Sequence, residues 1–230
     1  MEEPQKEAEG KGEEEKNDEG EKKEKTREEI EKELIAKYNI NLKKLEEEQL
    51  KLAKNLSIKD SIDFSLAERI AGIENVYFKN KIVSAIIVIV NGEIVEQEYF
   101  EDKIKFPYIS GFRAYRELPT MVSAFSKLNE KPDVVFVHGN GILHPRNLGL
   151  ASHFALSCNV PAIGISESLN AGEIDKEGNI ILNGKIVGKM LKTKEGANPV
   201  YISPGNNISL KTAIELTKKP KNPILIQGFP

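Results

Sequence analysis

PDVVFVHGNGILHPRNLGLASHFALSCNVPAIG, residues 132–164, decides the architecture. VVFVH and AIGIS are near-continuous apolar runs, the pattern of strands covered on both faces. Between them lie a glycine-rich turn, His144-Pro145-Arg146 and an apolar stretch of helical length. A strand, helix, strand order of this kind predicts a right-handed parallel crossover. Sites in open α/β sheets form beyond the carboxyl ends of strands, which directs attention to His138 and to Glu167, just past AIGIS.

Upstream, IAGIENVYF, KIVSAIIVIV and EIVEQEYF are rich in β-branched and aromatic residues, and Asn91-Gly92 between the last two is a two-residue hairpin turn. Three antiparallel strands therefore precede the parallel pair. A helix is predicted over about 115–128, further strands over about 185–192 and 199–202, and a last helix over about 209–217. Thr26 with Glu29 forms a capping box for a first helix ending near Tyr38. A second helix, about 42–55, places Leu45, Gln49, Leu52 and Ala53 on one face. The expected organisation is a disordered charged tail (1–25), N-terminal helices (26–60), an α/β core of mixed sheet with flanking helices (61–217) and a C-terminal tail (218–230).

Residues 1–25 hold 11 acidic and 6 basic side chains, whereas the remainder holds 27 basic and 25 acidic ones. A nearly neutral core does not imply a broad basic groove and fits a short or transient nucleic-acid contact better. No apolar run approaches the ~18 residues of a membrane span, and no secretory signal leads the chain. The single cysteine, Cys158, excludes an internal disulfide, suits a reducing cytoplasm and reads as a small apolar filler. Zinc-ligand spacing, a Walker loop and a Gly-x-Ser-x-Gly elbow are all missing from the sequence.

Together with PYISGFRAYRELP (107–119) and GKIVGKMLKTKEGANPVYISPGNNISL (184–210), the 132–164 stretch resembles endonuclease V, a family that nicks nucleic acid near inosine. The resemblance implies a ribonuclease H-like fold and a divalent metal centre, Mg²⁺ in the family. It also implies that metal ligands come from IAG-x-D, R-E-L-P, V-D-G and S-P-G-H. Those positions here hold Glu74, Glu117, His138 and Asn206, so only Glu117 is retained. Glu74 carries its carboxylate on a longer arm, and His138 offers imidazole, which suits Mn²⁺ or Zn²⁺ better than Mg²⁺. Asn206 cannot titrate. Glu167 stands where family members usually carry Lys, a change of two charge units, each worth ~3 kcal/mol at ~5 Å from a phosphate. Three expectations follow. Glu74, Glu117, His138 and Glu167 form a rebuilt oxygen and nitrogen centre for Mn²⁺ or Zn²⁺, with the first three catalytic; or the scaffold has lost its metal; or a partial, weakly active single-metal site remains.

The same resemblance assigns nucleic-acid-binding roles. Pro107-Tyr108-Ile109-Ser110 matches a wedge loop in which Tyr108 inserts beside an unstacked base. Gly111, Gly139, Gly141 and Gly149 match glycines around a base pocket, where exposed amides would read a base edge unless the glycines merely serve turns. Arg146 is a candidate phosphate fork, and His144 either orients the glycine turn or is structural. Arg113, where relatives generally carry an apolar residue, either narrows the pocket or meets a phosphate. His153 reads as a packed residue. The expected partner is DNA or RNA, inosine-containing or single-stranded, with the charged N-terminal helices as a surface for a protein partner. The functional readings are metal-dependent hydrolysis near inosine and a non-cutting relative that keeps pocket and wedge.

Overall fold

The computed structural model describes residues 15–16, 22–23, 26–192 and 198–219. In the charged tail, two-residue strands β1 (Glu15–Lys16) and β2 (Lys22–Lys23) pair antiparallel. The rest of that tail, residues 193–197 and the C-terminal residues 220–230 lie outside the described residues.

Helix α1 (Arg27–Lys37) begins at the expected capping box, with Glu29 N donating to Thr26 Oγ1 at 3.3 Å and Thr26 N to Glu29 Oε2 at 2.8 Å. It buries no residue. Helix α2 (Leu42–Ala53) buries only Gln49. The meander follows as β3 (Ile70–Phe78), β4 (Lys81–Val90) and β5 (Glu93–Lys103), with Asn91 and Gly92 at φ 53° and 88°, as a type I′ turn demands. Strand β5 leaves Ile94, Val95 and Tyr99 exposed along the sheet's edge. Helix α3 (Arg113–Phe125) leads to β6 (Val134–His138), α4 (Leu150–Cys158) and β7 (Ala162–Ser166).

The chain then forms β8 (Glu173–Ile174), β9 (Asn179–Leu182), β10 (Lys185–Leu191), β11 (Val200–Asn206) and α5 (Leu210–Lys218). All strands from β3 onward make one nine-stranded sheet, in the order β5-β4-β3-β6-β7-β11-β10-β9-β8. Only the β3/β6 and β6/β7 pairings are parallel, and the remaining pairings are antiparallel. This is the expected ribonuclease H-like mixed sheet. Two details differ from expectation. The β9/β10 hairpin turns on Asn183-Gly184, at φ 52° and 73°, the same dipeptide signal as Asn91-Gly92. Strand β11 runs on to Asn206 through Pro204, which a central strand tolerates because the ladder bulges between Pro204 and Asn206.

Helices α3 and α4 cover one face, over Ile73, Ile86, Val135 and Val137. On the other face Phe136, Ile163 and Ile202 pack with Phe64 and with Ala213 and Leu216 of α5. Burying such a side chain contributes ~1.5–3 kcal/mol, which fixes the sheet as the frame for its strand ends. Burial also pushes the Cys158 thiol up to about 12, as befits an inert filler. Among the described residues, no helix is long and apolar enough to cross a membrane.

Candidate functional site

Parallel pairing sets Ile73 opposite Val137, which brings the next residues, Glu74 and His138, level with each other. His138 Nδ1 lies 2.6 Å from Glu74 Oε1. Glu74 Oε2 is buried and has no hydrogen-bond partner.

Glu117 takes no part in that pair. Asn75 and Tyr77, two residues apart and so on one side of β3, meet it from the sheet, while alternation turns the preceding Glu74 to the other side. Asn75 Nδ2 donates to Glu117 Oε2 at 2.7 Å, and the Tyr77 hydroxyl donates to Oε1 at 2.7 Å. Arg113 Nε, one turn earlier on α3, donates to the same Oε1 at 2.5 Å. Ser84 and Thr120 extend the network behind it, through Ser84 Oγ to Asn75 Oδ1 and 2.8 Å from Ser84 Oγ to Thr120 Oγ1. Glu117 is 1% exposed. Burial and the Glu117 carboxylate both push the Tyr77 hydroxyl above its ordinary range, so it stays a donor. Burial opposes the charge on Arg113, but Glu117 outweighs it and holds the guanidinium protonated.

Glu167 sits in the exposed loop after β7, two residues beyond Ile165, the partner of His138. Asn206 is 5% exposed, and its Oδ1 accepts from Ser57 N at 2.8 Å, which pins the chain after α2 to β11. The rebuilt centre expected from Glu74, Glu117, His138 and Glu167 is therefore not assembled. Among the described residues no three His, Cys, Asp or Glu side chains are grouped to hold a metal ion. Two-metal phosphodiester chemistry needs carboxylates converging on one point. Here three donors already occupy Glu117 and Arg113 neutralises it, so these residues do not fit such a centre.

A cleft of about 490 Å³ opens beside this network, a volume suited to a small-molecule or nucleoside-sized ligand. His138, Arg113, Glu167, Tyr108, Asn140 and Gly111 are among its lining residues. Pro107 and Ile109 are buried, which leaves Tyr108 between them 50% exposed at the rim. The wedge loop is held by α1: Arg27 Nη2 donates to the Tyr108 hydroxyl at 3.4 Å, and Ser110 N donates to Glu31 Oε1 at 2.9 Å.

Arg146 has other work than the expected phosphate fork. Its Nε donates to Gln49 Oε1 at 2.5 Å, Nη2 to Gly111 O at 2.9 Å and Nη1 to Glu46 Oε1 at 3.4 Å, and it stacks over Phe112. His144 is structural too, with Nε2 against Gly111 O at 3.1 Å and Nδ1 accepting from Arg146 N at 3.3 Å. Burial, then Arg146, pushes His144 down to about 4, so it is neutral. Three of the four pocket glycines likewise spend their amides inside the fold. Gly139 N donates to Ile165 O, Gly141 N to Ser203 Oγ and Gly149 N to Gly141 O. Their use is steric, since a Cβ on Gly141 would lie 2.1 Å from Pro204 O and one on Gly149 2.2 Å from Asn140 O. Gly111, at φ +77°, is the turn glycine of the set.

Sequence reasoning missed Asn140, a cleft-lining residue whose Oδ1 is buried without a hydrogen-bond partner. It also missed Gly164, whose absent side chain lets the 139–141 turn lie against β7.

The endonuclease V family model matches residues 50–224. The chain belongs to the endonuclease V family. It is 36% identical over 198 residues to endonuclease V of Bacillus thuringiensis subsp. konkukian, covering 77% of this chain and 84% of that protein. Endonuclease V of Trichormus variabilis is 42% identical over 130 residues, covering 54% of this chain and 59% of the relative, so the match spans less than two thirds of that protein. The fold is shared with Ciona intestinalis endonuclease V, solved with a 24mer DNA containing an inosine followed by a ribo-adenosine. The TM-score is 0.71 at 23% identity, over 77% of this chain and 88% of that one. Membership of the endonuclease V family implies a divalent metal cofactor in general, against which the locked state of Glu117 stands out.

Proposed function

We propose that this chain acts on inosine-containing DNA or RNA by holding an unstacked base in the cleft, without the two-metal hydrolysis of its relatives. Family membership and the inosine complex of the Ciona intestinalis protein support the substrate class. One observation carries the rest: the retained family carboxylate, Glu117, is bonded by Asn75, Tyr77 and Arg113. What the chain keeps is a cleft of nucleoside size with an exposed tyrosine at its rim, the parts needed to receive and replace a stacked base.

A second reading, nicking near inosine with a single divalent ion at Glu74 and His138, is favoured by the orphaned Glu74 Oε2. Incubating the protein with an inosine-containing oligonucleotide in Mg²⁺, Mn²⁺ and Zn²⁺ separates the two. Anisotropy should report binding that weakens about tenfold in Tyr108→Ala, as loss of one stacked base predicts, and a denaturing gel should show intact strand. Cleavage that disappears in Glu74→Gln would transfer the assignment to the second reading. Absence of binding to inosine-containing and plain strands alike would overturn both.

A further inference from the structure

We propose that the Arg113 guanidinium is the resident cation of this site, standing at Glu117 in place of a divalent ion and offering its outer nitrogens to a phosphodiester oxygen of bound nucleic acid. The phosphate contact rests on the function proposed above; the exclusion of metal from Glu117 does not.

A carboxylate offers about four lone-pair sites, and three donors already occupy Glu117. A divalent ion entering there would face a fixed positive charge at one carboxylate oxygen, in a side chain that is 1% exposed. Helix geometry makes that charge permanent, because residues four apart on α3 stand on one face. Arginine also cannot lose its proton in the physiological range. Sequence positions alone make the exchange coherent, since the same helix supplies both the carboxylate and its counter-charge.

Arg113 spends only Nε on Glu117. Its side chain is 36% exposed and lines the cleft beside Tyr108 and Ser110, so Nη1 and Nη2 are the donors left for a ligand. A guanidinium with two adjacent nitrogens matches the paired oxygens of a phosphodiester, and such charge-assisted bonds are about twice as strong as neutral ones. Glu167, which also lines the cleft, repels an anion, which makes a paired contact at Arg113 the more necessary. Nucleic-acid binding by this chain is thereby independent of divalent ions.

The test uses the full chain, a fluorescent single-stranded oligonucleotide with one inosine, and Mn²⁺ itself as the metal probe. Wild type is expected to bind the oligonucleotide equally in EDTA and in Mg²⁺, and to give no heat with Mn²⁺ in calorimetry. Arg113→Leu is expected to bind the oligonucleotide at least ~tenfold more weakly in EDTA, the loss of one charge-assisted contact, and to gain Mn²⁺ binding. Should the bare Glu117 charge unfold that variant, Arg113→Leu with Glu117→Leu removes both charges, and is expected to show the weak oligonucleotide binding with no Mn²⁺ uptake. Stoichiometric Mn²⁺ binding by wild type that is lost in Glu117→Gln would overturn the metal replacement. Undiminished oligonucleotide binding by the leucine variants would overturn the phosphate contact. Failure of wild type to bind any strand would remove the proposed function and the phosphate contact, while the Mn²⁺ titrations would still decide what occupies Glu117.

Discussion

Asn140 lines the cleft, and its buried side-chain oxygen accepts nothing from the protein. A buried acceptor without a donor costs ~1–3 kcal/mol, a penalty relieved when a ligand supplies an N–H. Inosine carries N–H at ring position N1, where adenine carries a bare acceptor. Replacing Asn140 with leucine should therefore shrink the preference for inosine over adenine by about tenfold, measured by competition between matched oligonucleotides. An unchanged ratio would take Asn140 out of base reading. At this scale the sequence was legible in part. Glu74 and His138 were singled out and do meet, whereas the Arg113 and Glu117 pair was missed because the expected helix began near 115 and left Arg113 outside it. What stayed hidden were partners distant in sequence: Asn75 and Tyr77 on Glu117, Gln49 on Arg146, Ser203 on the Gly141 amide. A motif names a residue, not the donors already bonded to it.

Helix α1 lies outside the family match and buries nothing, yet two of its side chains hold the wedge loop. Glu31 accepts the Ser110 amide and Arg27 sits 5.6 Å over the Tyr108 ring. These contacts face the chain's own cleft. Replacing Arg27 and Glu31 with alanine should free Tyr108 and speed association with an inosine oligonucleotide, by roughly the few-fold that one exposed ion contact is worth. Stopped-flow anisotropy would read this, and an unchanged on-rate would mean that α1 does not impede entry. Element boundaries were legible wherever period and turn chemistry agreed, as in the β3 to β5 meander and the β6, α4, β7 crossover. The β9/β10 hairpin escaped because β9 is only four residues long, too short for its alternation to show beside the Asn-Gly turn. Pro204 made β11 look shorter than it is, since only a bulge admits proline to a central strand.

For the whole molecule, acid is the telling variable. Burial pushes His153 down to about 4, and burial with Arg146 does the same to His144. Unfolded histidine titrates near 6.5, so between about 6.5 and 4 the unfolded chain binds more protons than the folded one. Stability is thus full above about 6.5 and declines as pH falls toward 4, by up to ~3 kcal/mol per histidine. Burial works against the charge on Asp60, but hydrogen bonds from Thr212 and Ser209 hold its carboxyl below the usual value, so its contribution is lost only in stronger acid. Melting curves across this range should show the decline, and His153→Gln should flatten it. A flat profile in the unaltered chain would show that these imidazoles are not buried neutral.

The outermost strand, β5, bears on how copies of the molecule treat one another. A terminal strand with Ile94, Val95 and Tyr99 uncovered could template a neighbour's backbone. Glu93, Glu96, Glu98, Glu101 and Asp102 are threaded through the same eleven residues. Arg69, Lys81 and Lys105 offset Glu96, Glu101 and Asp102, so at neutral pH it is Glu93 and Glu98 of two such borders that repel before the amides can zip together. In vinegar-like conditions, with carboxyls protonated, that fence falls and clumping should begin at this rim.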